Sequence, residues 1–463
     1  MKRKDKYNMK LQRLIVSKLY GAYNYDVRFN SDITFLYGTN GCGKTTILNI
    51  TEAIITGMLF KLFEYKFQRI TLEYFSSKKD NEIRQITIRQ TNTRKLTIDF
   101  EENSHELSYI RLENEQRRNS DIEDIAKLYF NKYPFLKEIH HSFNYVYLPL
   151  NRTINLGNSM EFFDNDITYR MFNRKFMQRS FLDDDEEYLY SAKDINITQI
   201  ELLIYYKYNS ANAKIHEIDS DFRSLVLQSL LDVDANSSVQ DIIDSMSISD
   251  ISRITPAKIY DVKEQYISIL RDLTSASIDI RKCELFFESF SNDIQNMPKG
   301  QITVDFLFRY KEFLRIQHTI SLAEQTLRAK ERQMKTFELF IDTMNSFISK
   351  TEEGKEFKIS PDGRIGFTTS FSKRIVSVHH LSSGEKQLLI FFANLIFGVD
   401  NKKTGIFVVD EPELSLHLSW QRFFVEKTME INPNIQLIFA THSPEFVGKY
   451  RDRMFKLEKK YLN

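Results

Sequence analysis

The strongest constraint on the fold is a glycine-rich segment that lies between a short β-rich run and an apolar helix. Residues 33–37 (ITFLY) predict a buried strand, and residues 38–45 (GTNGCGKT) match the pattern G-x-x-x-x-G-K-[ST]. In such a loop, glycines let backbone N–H groups approach phosphate oxygens, and the helix that follows directs its positive end at the same anion. The sequence therefore predicts a strand–loop–helix unit that binds the phosphates of a nucleotide.

Individual positions of this phosphate loop have predicted roles. Lys44 is expected to reach the β- and γ-phosphates, and the Thr45 hydroxyl is expected to coordinate Mg²⁺. Cys42 is interpreted as a small filler without a redox role, and with Cys283 it gives neither a disulfide framework nor a metal cluster. The nucleotide-binding residues predicted here are Gly38, Thr39, Asn40, Gly41, Cys42, Gly43, Lys44, Thr45 and Thr46.

A second group of strand ends lies near the other end of the chain. Residues 406–409 are apolar, as in a strand buried on both faces, and Asp410 and Glu411 follow them. Asp410 is predicted to hold Mg²⁺, and Glu411 is predicted to polarise the water that attacks the γ-phosphate. A third apolar strand, residues 435–440, precedes His442, which could contact the γ-phosphate and the attacking water.

Together these segments resemble the ABC-type ATPase head of SMC, Rad50 and RecF proteins. The resemblance implies an α/β fold: a phosphate-loop sheet with an antiparallel β lobe, interrupted by a helical insert that carries a short antiparallel coiled-coil hairpin. The resemblance also implies that Glu411 is the catalytic base and that His442 is the switch histidine. Residues 381–385 (LSSGE) occupy the place of the signature motif. The resemblance therefore implies that ATP held by another subunit is contacted by Ser382, Ser383, Gly384 and Glu385.

Two further family elements have candidate positions. Ser415, Leu416 and His417 lie where the family has its D-loop. The Q-loop glutamine has no clean match, and the best positional candidate is the strand at residues 145–148 with the segment 149–152 that follows it. Two interpretations of Arg152, the last residue of that segment, have equal weight. It contacts a phosphate or a neighbouring subunit, or it is an ordinary surface arginine.

The long segment between the two halves contains strands and helices. Residues 70–112 predict an antiparallel meander, and residues 358–378 predict a hairpin with a turn at Pro361. Residues 153–255 are interpreted as a helical insert, with a helix from Gln199 to Val233. The acidic run at residues 183–187 is interpreted as a solvated loop, with a basic partner as the alternative.

Residues 256–350 carry a heptad pattern. Apolar side chains recur every seven residues from Ile259 to Ile294 and again from Phe306 to Ile348, with a break at residues 296–300. The pattern predicts two helices of about forty residues in an antiparallel coiled-coil hairpin about 60 Å long. Two amphipathic helices folded back onto the head are the alternative. The predicted organisation is the N-terminal part of the head at 1–152, the insert at 153–255, the hairpin at 256–350 and the C-terminal part of the head at 351–463.

Composition and spacing disfavour several classes of protein. A formal net charge of +1 does not suit a protein that binds nucleic acid through its overall charge. With neither an export signal nor an apolar span, the chain is predicted to be cytoplasmic and to have no membrane partner. The nine histidines show no metal-ligand spacing, and the short segment after His442 leaves no space for a Toprim domain, so we expect no intrinsic nuclease.

The head segments, including residues 19–45, VVDEPELSLHLSWQ and FATHSPEF, are similar to stand-alone ATPases of bacterial anti-phage systems. The resemblance is to the ATPases of PARIS systems (AriA) and of Septu and retron-linked systems (PtuA). This resemblance implies a slow ATPase that uses ATP and Mg²⁺, a homo-oligomeric scaffold and sensor that holds and gates a separately encoded effector nuclease. A phage-derived trigger is a further candidate partner. Two alternatives remain: a DNA-clamping repair ATPase like Rad50 and RecF, and a structural oligomer that retains nucleotide.

Overall fold

The chain forms two compact units, each with its own apolar core. One unit, the head, comprises Met1–Lys207 and Leu339–Asn463, and the other, the helical unit, comprises Tyr208–Glu338. The computed structural model describes residues 9–76, 82–111, 122–148, 195–231, 254–273, 280–296, 303–349, 354–398, 405–414 and 416–461.

The strands of the described residues are numbered along the chain. They are β1 (Met9–Leu19), β2 (Tyr23–Arg28), β3 (Ile33–Tyr37), β4 (Arg69–Ser76), β5 (Glu82–Asn92), β6 (Lys95–Phe100), β7 (Asn103–Ser108), β8 (Tyr145–Leu148), β9 (Glu356–Ile359), β10 (Ile365–Thr369), β11 (Ser372–Ser377), β12 (Ile406–Asp410), β13 (Gln436–Ala440), β14 (Met454–Lys456) and β15 (Lys460–Tyr461).

The α-helices of the same residues are numbered in the same way. They are α1 (Lys44–Ile55), α2 (Ile122–Lys132), α3 (Pro134–Ser142), α4 (Ile195–Leu231), α5 (Pro256–Leu273), α6 (Ile280–Asn296), α7 (Val304–Ile348), α8 (Ser383–Ala393), α9 (Leu418–Ile431) and α10 (Pro444–Val447). Short 3₁₀ turns lie at Leu59–Glu64, Val378–His380 and Arg451–Arg453, and a π-helical turn, Asn394–Gly398, continues α8.

The centre of the head is a five-stranded parallel sheet with the order β14-β3-β13-β12-β8. Every residue of β12 and β13 is buried, as is expected of the apolar runs that predicted them. In this sheet β13 lies between β3 and β12, so the carboxyl ends of these three strands meet at one edge. The predicted α/β class is confirmed, and the two distant halves of the chain are joined by this sheet.

The second large sheet is antiparallel and has the order β15-β2-β1-β4-β5-β6-β7. Strands β4 to β7 are the meander predicted at residues 70–112. The sequence analysis did not anticipate that β1, β2 and the C-terminal β15 pair in the same sheet. The hairpin predicted at residues 358–378, with its turn at Pro361, is present as β9 and β10, and β11 pairs along β10 as a third strand.

One buried side chain connects the two large sheets. Gln436, the first residue of β13, accepts a hydrogen bond through Oε1 from the backbone N–H of Leu11 at 2.8 Å. Its Nε2 donates to the carbonyls of Leu11 and Asn30 at 2.7 and 2.8 Å. The register of β1 against β4 shifts between Leu11 and Arg13, so Gln436 pairs backbone groups beside an irregularity of the ladder.

The structure of the helical unit differs from the prediction in the first arm of the hairpin. The second arm is the single long helix α7, but the first is two helices, α5 and α6, on either side of residues 274–279, which lie outside the described residues. Side chains of all three helices form one apolar cluster, which includes Val262 of α5, Phe290 of α6 and Phe313 of α7. The heptad pattern did not separate α5 from α6, because two short amphipathic helices and one long helix give the same spacing of apolar residues.

The remaining predictions for the insert are met in part. Helix α4 covers most of the helix predicted from Gln199 to Val233. The acidic run at residues 183–187 lies outside the described residues, and the boundaries at 152, 255 and 350 stay predictions. None of the helices that the structure describes is long and apolar enough to cross a membrane.

Replacing Gln436 by Leu is expected to destabilise the head. The change leaves the N–H and C=O of Leu11 buried without partners, at about 1–3 kcal/mol of unfolding free energy for each group. Urea unfolding, followed by the fluorescence of Trp420, the single tryptophan, should show a lower midpoint. The matched control is Gln85→Leu on the exposed part of β5, where we expect a change within about 0.5 kcal/mol. Equal midpoints for the two variants would show that the Gln436 contacts do not hold the sheets together.

Candidate nucleotide site

The phosphate loop joins β3 to α1 in the predicted way. Gly41 and Gly43 have φ angles of 77° and 103°, in the region that favours glycine, and α1 begins at Lys44. A Cβ atom on Gly43 would lie 2.7 Å from the hydroxyl of Tyr25. That hydroxyl donates a hydrogen bond to the carbonyl of Cys42 at 3.0 Å. The loop therefore rests against a tyrosine of β2.

Tyr25 contacts the phosphate loop, and nothing in the sequence indicated this contact. Its side chain is buried, and burial raises the pKa of the phenol to about 12, so the hydroxyl remains a donor at neutral pH. Cys42 packs at the other side of the loop, where a Cβ on Gly38 would lie 2.7 Å from its Sγ. The Tyr25 contact depends on the β lobe and the loop folding together, and the motif itself carries no signal for it.

Three predicted residues from three strand ends meet beside this loop. Lys44, which is 5% exposed, donates from Nζ to the carbonyl of Gly38 at 3.2 Å. The same Nζ lies 2.6 Å from Nε2 of His442. Nε2 of His442 is also 3.7 Å from Oε1 of Glu411. The convergence expected from the sequence is therefore present.

Asp410 is a buried carboxylate at the end of β12. It is 4% exposed, and neither oxygen has a hydrogen-bond partner within the part of the chain that the structure describes. Burial raises its pKa, and the Thr45 hydroxyl and the Lys44 ammonium offset part of that rise without closing a hydrogen bond at normal geometry. An unpaired carboxylate beside a threonine hydroxyl offers the oxygen ligands that Mg²⁺ prefers, so these residues fit the predicted metal.

The chain turns sharply after Asp410. Glu411 has a φ of 48°, which is uncommon for a residue with a side chain, and its N–H donates to the carbonyl of Ala440 at 2.9 Å. Glu413, which the sequence analysis did not single out, accepts hydrogen bonds from Thr441 and from the backbone of His442. The DEPE segment is thus bonded to the end of β13.

The signature segment forms the start of α8. Ser382 is the N-cap, its hydroxyl accepting from the N–H of Glu385 while the Glu385 carboxylate accepts from the N–H of Ser382 at 2.8 Å. Ser383 is exposed beside it, and Gly384 is buried in the first turn. Together Ser382 and Ser383 present hydroxyl groups at the N-terminal end of a helix, where anions are stabilised.

The nucleotide contact predicted for Glu385 stays a prediction, and its carboxylate has partners inside the head. Its side chain is 2% exposed, and the Lys355 ammonium lies 3.1 Å from both carboxylate oxygens. The carboxylate therefore completes a capping box and a buried ion pair, both inside the head. Gln387, one turn further into α8, donates to the carbonyl of Pro412 at 2.8 Å and so joins the signature helix to the DEPE segment.

The remaining family elements are only partly described. Ser415 and the Q-loop candidates at residues 149–152 lie outside the described residues. Leu416 is buried, and His417 caps α9 with its Nδ1 2.8 Å from the Ser419 hydroxyl oxygen.

Replacing Asp410 by Asn is expected to raise the thermal unfolding midpoint of the nucleotide-free protein at pH 7 and to weaken Mg²⁺-dependent ATP binding. Because the folded pKa of Asp410 is raised, ionisation costs stability as the pH rises from the unfolded pKa, about 3.9, through the folded value. The Asn side chain escapes that loss, so the advantage of the variant should shrink as the pH falls towards 4.

The matched control is Asp124→Asn at an exposed position of α2, where we expect no pH-dependent difference. An Asp410→Asn advantage that stays constant from pH 4 to pH 7, or a lower midpoint at pH 7, would contradict a desolvated carboxylate at this position.

Comparison with known proteins places an ATPase domain on the second half of this site. Residues 284–448 match the family AAA_21, described as "AAA domain, putative AbiEii toxin, Type IV TA system". The retron Vc95 probable ATPase of Vibrio cholerae serotype O1 biovar El Tor is 30% identical over 122 residues, 24% of this chain and 23% of that protein. The retron Ec83 probable ATPase of Escherichia coli is 37% identical over 81 residues, 15% of each chain. The chain thus matches less than a quarter of the length of these relatives.

Solved structures of Smc heads are similar to the chain over its length at low identity. The Smc head domain bound to the C-terminal domain of ScpA from Pyrococcus furiosus is 12% identical, with a TM-score of 0.40, over 98% of this chain and 96% of that chain. The Smc head with a coiled coil and joint from Pyrococcus yayanosii is 11% identical, with a TM-score of 0.35, over 98% and 97%. Scores this low carry no conclusion about function. The motifs follow one another in the order of an ABC-type ATPase head, and the chain is similar to the AAA_21 family over residues 284–448 and to the two retron ATPases over shorter segments.

Proposed function

We propose that this chain hydrolyses ATP at sites shared between two copies, and that the nucleotide state gates a separately encoded effector nuclease in anti-phage defence. The observation that carries the ATPase part is the meeting of Lys44, Asp410, Glu411 and His442 at one edge of the parallel sheet. The defence role is supported by the two relatives named as retron ATPases.

Each residue of the site has a chemical role in this proposal. Lys44 holds the terminal phosphates, since its ammonium is fixed at the mouth of the phosphate loop. Asp410 and Thr45 would hold a magnesium ion, which would supply electrostatic stabilisation of the phosphate oxygens. Glu411, whose side chain is 22% exposed, can accept the proton of the attacking water, and His442, 36% exposed, can donate to the γ-phosphate.

The need for a second copy follows from the position of the signature residues. Ser382 and Ser383 are exposed at the N-terminal end of α8, while the carboxylate that caps this helix is directed into its own head. A helix start with two exposed hydroxyls is suited to a phosphate brought by another molecule. In the family resemblance that molecule is ATP bound to a second head, and we propose the same arrangement here.

The gating role is tested by expressing the tagged chain with its neighbouring genes and measuring the native mass by light scattering. Co-purifying chains would be identified at the same time. We expect a stable assembly larger than a dimer that contains a nuclease. A monomer that dimerises only with ATP and duplex DNA, with hydrolysis that falls steeply with salt, would instead indicate a DNA-clamping ATPase.

Lys44→Ala is expected to weaken ATP binding by about 10- to 100-fold or more, because the phosphates lose a charge-assisted donor. Calorimetric titration with Mg·ATP measures the change. Lys95→Ala, at an exposed position of the β lobe, is the matched control and should bind like the wild type. Normal ATP affinity in the Lys44 variant would contradict the assignment of the loop.

Glu411→Gln is expected to bind ATP and to slow its hydrolysis by about 10²- to 10⁴-fold, because the amide cannot accept the proton of the attacking water. The rate is measured by phosphate release in single-turnover conditions, with Glu106→Gln on exposed β7 as the control. An unchanged rate would place the general base elsewhere.

A further inference from the structure

Glu413 connects the two loops that carry the proposed catalytic residues. Its Oε1 accepts a hydrogen bond from the hydroxyl of Thr441 and another from the backbone N–H of His442, both at 2.7 Å. Thr441 is 1% exposed, so this contact lies at the buried base of the loop that follows β13. One carboxylate oxygen thereby fixes the backbone on which the switch histidine is carried.

The geometry of Glu413 differs from that of a solvated loop carboxylate. Its other oxygen, Oε2, is buried and has no hydrogen-bond partner among the residues that the structure describes. Glu413 is partly buried, and its Oε1 makes two hydrogen bonds to the β13 loop. Hydrogen bonds to a charged acceptor are stronger than those to a neutral one, so this carboxylate holds the loop strongly. We found no comparable bond from any other described side chain to the backbone N–H of His442.

Gln421 of α9 contacts the backbone of Glu413. Its Nε2 donates to the carbonyls of Glu413 at 3.4 Å and of Leu416 at 3.0 Å, and its Oε1 accepts from the hydroxyl of Ser443 at 2.9 Å. The N–H of Glu411 is bonded to the carbonyl of Ala440. The loops after β12 and β13 are therefore joined at several points, and the Glu413 bond is the one that reaches the backbone N–H of His442 among the described residues.

We propose that Glu413 is the positioning residue for His442: it sets the backbone of the histidine so that Nε2 lies between the Lys44 ammonium and the Glu411 carboxylate. This rests on the proposed ATPase function. Glu413 does not touch the nucleotide in this account and acts through His442 alone. Its loss is therefore felt in the rate of hydrolysis and not in the affinity for ATP.

The test compares kcat and KM for ATP in Glu413→Ala and Glu413→Gln. The Ala variant is expected to lose about 10- to 100-fold in kcat, the effect of a catalytic group displaced by about 1 Å, with KM within about threefold of the wild type. The Gln variant keeps an oxygen that can accept both bonds and should recover most of the lost rate. Glu430→Ala, at an exposed position of α9, is the matched control and should match the wild type.

A double-variant cycle shows whether Glu413 acts through the histidine. In a His442→Ala background, Glu413→Ala is expected to cause no further loss of kcat, because the group that it positions is already absent. Additive losses in the double variant, or a Gln variant as slow as the Ala variant, would overturn the proposal. Thermal unfolding of each variant separates a folding defect from a catalytic one, and the Gln variant remains informative if the Ala variant does not fold.

The same measurements separate this inference from the proposed function. A wild-type chain without ATP turnover, or a Glu411→Gln variant as fast as the wild type, would refute the proposed function. Normal wild-type turnover with additive Glu413 and His442 effects would refute the positioning role of Glu413 alone.

Discussion

The candidate site depends on the insertion of β13 between β3 and β12. Ala440 of β13 is paired with Asp410 on one side and with Leu36 on the other. This register brings the residues that follow each strand to the same level: the phosphate loop, the Asp410–Glu411 pair and His442. Because side chains alternate between the faces of a sheet, a slip of one residue would move every one of these groups away from the others. The three strands are buried, so burial of their side chains fixes the register.

The β lobe supports this arrangement through direct contacts with the sheet. The Tyr25 hydroxyl of β2 donates a hydrogen bond to a carbonyl of the phosphate loop, and the Gln436 side chain of β13 donates one to a carbonyl of β1. Side chains of both sheets and of α1 belong to one apolar cluster, which includes Leu14, Ile50 and Val408. The N-terminal strands therefore support the phosphate loop and the parallel sheet, and a substitution in β1 or β2 can alter the loop without touching any motif.

Most structural elements that are marked by a pattern of neighbouring residues were predicted from the sequence. The phosphate loop, the apolar strands before Asp410 and before His442, and the meander of β4 to β7 each carry their signal in adjacent residues. Residues joined only by the tertiary fold were missed: Tyr25 and Glu413 have partners far away along the chain, and nothing in their neighbours indicates those partners. Glu385 was assigned to the nucleotide from its place in the motif, whereas Lys355 and Ser382 use its carboxylate within the head. The first arm of the hairpin was predicted as one long helix, because apolar residues have the same spacing in one long amphipathic helix and in two short ones.

The central claim is that the phosphate loop of one chain and the signature of another form one site. The most direct test mixes two inactive variants, Lys44→Ala and Ser382→Arg, and measures ATP hydrolysis by the mixture. In a mixed pair, one site combines both changes, and the other has an unaltered phosphate loop and an unaltered signature. The account predicts that the mixture regains hydrolysis that neither variant has alone. A mixture as inactive as its components, despite forming mixed oligomers, would contradict a shared site.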